Sequence, residues 1–209
     1  MATLLVGDKF HPTRSAVHKT LICAYSEVVA GAFRNNWKPP TDTTFEMLDE
    51  ELEAVEDYVG ILYQQEQFVE AANAFDETNE DQDYPNISKS RYTRLCKLYR
   101  HCDKYNDEAS AKLVITAVVE VINTKYADGA QYFPPRSLVN YIYENTVPRD
   151  AIRKLFTDCY VDFADDSWLT LQDIKKWDDD FRCDALLGMV RRRGSPTDLS
   201  RTTAADNYL

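Results

Sequence analysis

Between Thr3 and Tyr63 the hydrophobic pattern switches between a two-residue and a 3.6-residue period in the order β-β-α-β-α. Thr3–Val6 reads as a short strand, and after a turn a second extended piece ends at Ala16-Val17. His18-Lys19 then opens an amphipathic helix on which Leu21, Ile22, Tyr25, Val28, Val29, Ala32 and Phe33 share one face. Asn35-Asn36 and Pro39-Pro40 end that helix, because proline cannot continue the hydrogen-bond ladder. Thr43–Leu48 is rich in β-branched and aromatic residues and reads as a strand. Asp49 is a suitable N-cap for a helix reaching Tyr63, with Glu50, Glu51 and Glu53 complementing the positive end of its dipole. The buried face of this helix is Leu52, Val55, Tyr58, Val59 and Leu62. Gly60 weakens it, so close packing is expected there.

From Gln64 to Ser88 the chain carries Glu66, Glu70, Asp76, Glu77, Glu80, Asp81 and Asp83 without a lysine or arginine. Phe68–Phe75 suits a short strand or helix, and Asp76–Asn86 a solvated acidic loop. Helical periodicity returns with Tyr92, Leu95, Cys96, Tyr99 and Cys102, then with Ala111, Val114, Ile115, Val118, Val121 and Ile122. The break at Asp103–Asp107 is short enough to make the pair an antiparallel hairpin. A turn at Asp128-Gly129 and Pro134-Pro135 introduces three further helical pieces, Ser137–Asn145, Asp150–Phe163 and Trp168–Met189. The expected organisation is a small mixed sheet flanked by helices over residues 1–126, with an acidic insert near 64–88. An all-helical extension follows over 127–193, and residues 194–209 read as a disordered tail.

The balance of 24 Lys+Arg against 35 Asp+Glu, a formal −11, repels phosphate backbones and argues against direct nucleic-acid binding. No apolar run approaches the length of a membrane span, and the first residues lack the pattern of a signal peptide. Five cysteines, odd in number and never in a C-x-x-C arrangement, suit reduced thiols in a cytoplasmic or nuclear protein. Asn86-Ile87-Ser88 matches a glycosylation acceptor but should stay unmodified in that setting.

The run Ala16-Val17-His18-Lys19-Thr20-Leu21, followed by Cys23, Ser26, Phe33 and Trp37, resembles the opening of a BTB/POZ domain. Val29 stands where that family usually has an aromatic. Val55, Val59, Leu62 and Tyr63 match the next helix of the family. Leu95-Cys96-Lys97-Leu98-Tyr99 leading to Cys102-Asp103-Lys104-Tyr105 is similar to the fungal branch, as are Leu138–Thr146 and Ile152–Phe156. The likeness runs from about Thr3 to Arg193.

The resemblance implies an α+β BTB/POZ fold with a helical C-terminal extension, and a protein-protein interaction module that catalyses nothing and needs no cofactor or metal. Its partners would be other proteins, through self-association by the first helix or through a cullin-type ubiquitin-ligase scaffold; a transcription regulator acting through a DNA-binding partner is the further alternative. The sequence starts at the first core strand, without the extra N-terminal strand that many relatives exchange. Trp37-Lys38-Pro39 stands where cullin binders often carry hydrophobic-x-Glu.

The candidate interaction residues are Leu21, Tyr25, Phe33 and Trp37, with Ala24 and Ala30 flanking the stripe and leaving room for a close helix. His18, at a strand-to-helix junction, reads as structural, and His11 and His101 have no companion at ligand spacing. Asp178-Asp179-Asp180 reads as a capping, solvated helix start. Arg191-Arg192-Arg193-Gly194-Ser195-Pro196 makes Ser195 a candidate phosphorylation site.

Overall fold

The computed structural model describes residues 1–34, 42–73, 82–165, 168 and 170–192. It divides into two compact units, Met1–Thr146 and Val147–Leu209. The first unit is α+β, with a three-stranded mixed sheet in the order β2-β1-β3. β1 (Ala2–Val6) lies in the centre, and alternation sends Ala2, Leu4 and Val6 to the buried face. β2 (Thr13–Val17) pairs with it antiparallel, Ala2 opposite Val17, and β3 (Thr44–Met47) parallel, Thr3 opposite Thr44. A parallel pair needs a crossover. Here α1 (Lys19–Tyr25) and α2 (Glu27–Arg34) lie within that connection.

The expected single first helix is two helices, because Ser26 breaks it in an extended conformation (φ −100°, ψ 113°). Its buried hydroxyl donates to the Tyr105 carbonyl at 2.7 Å and accepts from the Val29 amide at 3.1 Å. The same residue therefore ends α1 and caps α2. The bend rotates the apolar stripe out of register. Ile22 and Val29 are fully buried, Leu21 and Phe33 are only half-buried, and Val28 is 43% exposed instead of buried.

α3 (Leu52–Gln64) buries Val55, Tyr58 and Leu62 as its pattern requires, while Val59 is half-buried. Its N-cap position is Glu51, not Asp49, and Glu50 turns inward instead of facing the helix dipole. Gln65, at φ 51°, turns the chain into α4 (Glu66–Asn73), which resolves the open strand-or-helix expectation around Phe68 as helix. The Phe68 ring lies 3.4 Å from where a Cβ on Gly60 would sit, which is the close packing that the glycine implied.

α5 (Tyr84–Lys104) begins inside the expected acidic loop. Asp83 caps it by accepting from the Asn86 amide, and Pro85 sits in the first turn of the helix. Tyr84 is buried against Tyr126, at 5.3 Å between ring centroids. Residues 74–81 of that segment lie outside the described residues. α5 and α6 (Glu108–Asn123) form the expected helix pair joined by three residues, with Asp107 capping α6 through the Ser110 amide. The turn at Gly129 (φ 79°) is also as expected. α7 (Arg136–Asn145) packs on α5, so the unit boundary falls after Thr146, later than the sequence boundary at residue 126.

The second unit holds α8 (Ala151–Phe163), α9 (Leu171–Ile174) and α10 (Asp179–Arg192), the last two replacing one expected segment. Asp150 caps α8 through the Ile152 amide. Asp178 caps α10 by accepting from the Asp180 and Phe181 amides, the capping role expected of the triple aspartate. The core is aromatic: Tyr160 meets Trp177 and Phe181 edge-on, and Trp177 stacks on Phe181 at 4.7 Å. The tail from 193 onward lies outside the described residues. No helix among the described residues is long and apolar enough to cross a membrane.

Candidate protein-interaction surface

The junction at His18 sets the position of α1. The Tyr63 hydroxyl, at the end of α3, accepts from the His18 backbone amide at 3.0 Å and lies 2.5 Å from His18 Nδ1. The two rings meet edge-on at 5.7 Å. One tyrosine thus ties the strand-to-helix entry to a helix 45 residues later, and the histidine acts as a structural clamp.

On α1, Leu21 and Tyr25 occupy one face, four residues apart and half-buried. Phe33 lies on α2 beyond the Ser26 bend, so the three do not form the single stripe that a continuous helix would have made. Phe33 also has packing work to do. Lys19 Nζ sits 4.4 Å from its ring centroid and Phe45 of β3 lies 6.2 Å away. Ala30 is in the core and does not flank the surface, whereas Ala24 and Ala32 are exposed. A Cβ on Gly31 would meet nothing within 4 Å. The outer side of the helix pair therefore carries small residues and Val28. Trp37 and Ser195 lie outside the described residues.

A buried polar cluster, unread in the sequence, lies between the β3–α3 turn and α5. Glu50, 2% exposed at its side chain, accepts from His101 Nδ1 at 3.2 Å and Arg100 at 3.4 Å, and from Lys104 at close range. Burial raises the Glu50 pKa, but the hydrogen bonds and charges of His101 and Lys104 outweigh it and hold the group at about 2. His101 is fully buried between Tyr58 and Tyr105, at 4.7 and 4.6 Å between centroids. Burial lowers its pKa, against the pull of Glu50, so the ring is neutral near pH 7. Its Nδ1–H then donates to Glu50, and Nε2 stays a lone pair among the rings. Beside it the Tyr58 hydroxyl donates to Asp107 at 3.0 Å, which raises the phenol's pKa together with burial.

This cluster carries an acid and a base, both buried, and it ties the β3–α3 turn to α5. The sequence concealed it because Glu50 and His101 are 51 residues apart. The one local signal was the Arg100-His101 pair with Lys104 a turn later on the same helix. Among the described residues no three His, Cys, Asp or Glu side chains group to hold a metal ion. An open cleft of about 650 Å³ lies between α3 and α5, where Arg94 pairs with Asp57 and Lys97 with Glu51. No family model, curated protein or solved structure matches this chain.

Proposed function

We propose that the chain is a non-catalytic protein-interaction module of BTB/POZ type, using the outer side of α1 and α2 as its binding surface. What carries the reading is the meeting of motif and geometry at His18: the Val17-His18-Lys19 run joins β2 to α1, and Tyr63, from the matching helix motif, clamps it. The three-stranded sheet with one antiparallel and one parallel pair, flanked by helices, is the architecture that such a domain requires. The exposed Val28 amid alanine and glycine suits the close approach of a partner helix. The buried position of Glu50 and His101 supports a structural role for this pair.

The test is a comparison of wild type and Val28→Glu in affinity capture from native lysate with mass spectrometry. The variant should fold, because the side chain faces solvent, and should lose a defined set of partners. Recovery of every wild-type partner by a folded Val28→Glu chain would place binding elsewhere. Tyr25→Ala belongs beside it, because a half-buried tyrosine at an interface contributes more than a valine.

A further inference from the structure

Helix α10 is apolar on both sides. One side, Phe181 and Ala185, is buried within the second unit. Gly188 belongs to the same side, where a Cβ would come within 2.8 Å of Val161 on α8. The opposite side consists of Cys183, Leu186, Leu187 and Val190, all exposed: Leu186 by 64%, Leu187 by 50% and Val190 by 55%. Cys183, Leu186 and Val190 follow a three-then-four spacing, which is the seam of a helix that packs on a second helix. Among the described residues nothing covers this side.

Charge along α10 says what fits. Asp178, Asp179 and Asp180 stand at its start, and Arg191 and Arg192 at its end. Asp179 is engaged with Arg182, Asp180 with Arg153 at 3.6 Å and Arg192 with Asp162 at 2.7 Å, whereas Arg191 has no ion-pair partner among the described residues. A helix laid antiparallel on this face is therefore matched by carboxylates opposite Arg191. α10 itself carries Asp180 and Asp184 on the same edge as Arg191.

We propose that α10 is a self-association surface, packing antiparallel on α10 of a second copy about a two-fold axis between Leu186 and Leu187. In that register Leu186 of one copy meets Leu187 of the other, and Cys183 meets Val190. Asp180, Asp184 and Arg191 lie along one edge of the helix, so Arg191 of each copy faces the aspartates of its mate. The arrangement is isologous, so it closes at two copies. A 14-residue helix is about 21 Å long, and one such contact is smaller than a standard permanent interface. The dimer is accordingly weak and concentration-dependent. This inference is independent of the α1–α2 reading.

Sedimentation equilibrium of the full chain tests it, with wild type, Phe10→Glu and Leu186→Glu compared by circular dichroism for folding; Phe10 is exposed and lies on neither surface. Wild type and Phe10→Glu should dimerise alike, and Leu186→Glu should weaken the dimer roughly tenfold or more. Direction is tested by mild copper–phenanthroline oxidation in air, which takes two electrons and two protons from each thiol pair. Val190→Cys should give a covalent dimer, and Val190→Cys combined with Cys183→Ser should not. Wild type should not crosslink through Cys183, because its two copies stand seven residues, about 10 Å, out of line. A monomeric wild type, a dimer indifferent to Leu186→Glu, or Cys183 crosslinking to its own copy in wild type would each overturn the proposal.

Discussion

At the scale of single residues the sharpest consequence is acid sensitivity. Glu50 falls from an ordinary 4.5 to about 2 in the folded chain, so the unfolded chain binds its proton first. Its stabilisation is complete above pH 4.5 and is lost as pH falls towards 2. The shift corresponds to at most about 3 kcal/mol, less the screening admitted by Lys104 and Arg100, which are 38% and 32% exposed. His101 acts in the same direction in a higher window: its folded pKa lies below 6.5, so stability present above 6.5 declines as pH drops and the unfolded chain protonates. Urea melts across pH should show wild type losing stability in both windows. Glu50→Gln should be less stable at pH 7 and should lose less than wild type between 4.5 and 2. A Glu50→Gln chain with the wild-type acid profile would remove Glu50 from this account. At Leu62, 2% exposed in α3, truncation to Ala should cost about 2–5 kcal/mol in the same melts.

At the scale of elements the instructive case is the break in the first helix. Ser26 makes two buried hydrogen bonds through one hydroxyl, so Ser26→Ala leaves the Tyr105 carbonyl and the start of α2 without partners. The expected loss is about 2 kcal/mol, with faster amide exchange at Val29; an unchanged exchange rate there would mean that α2 does not need the cap. Helix and strand existence was legible wherever apolar periodicity was long, as in α3, α5 and α6. The break was not, because Leu21 to Phe33 satisfy one continuous period and the reason for the bend is the Tyr105 carbonyl, 79 residues away. The same non-locality hid Glu50, which reads as a dipole partner for α3 until α5 is beside it. Of the surface residues, Leu21 and Tyr25 were legible as an α1 face. Val28 was misread as core, because its exposure depends on the bend.

At the scale of the whole molecule the chain has two cores of unequal size, and its cysteines report on them separately. Cys96 and Cys102 are buried in the first unit, Cys159 in the second, Cys183 is exposed and Cys23 is half-buried. Burial raises the pKa of all three buried thiols, that of Cys159 to about 12, so none reacts until its surroundings open. In the native protein thiol reagent should modify Cys183 quickly and Cys23 slowly, and full denaturation without reductant should reveal five free thiols. The second unit buries far less apolar surface and rests on one aromatic cluster, which makes it the less stable core by size alone. Pulsed labelling along a denaturant series, read by peptide mass spectrometry, should therefore expose Cys159 at a lower concentration than Cys96 and Cys102. Coincident exposure of the three would mean that the two units unfold as one cooperative block, in which case the packing of the aromatic cluster does not by itself set the stability of α8.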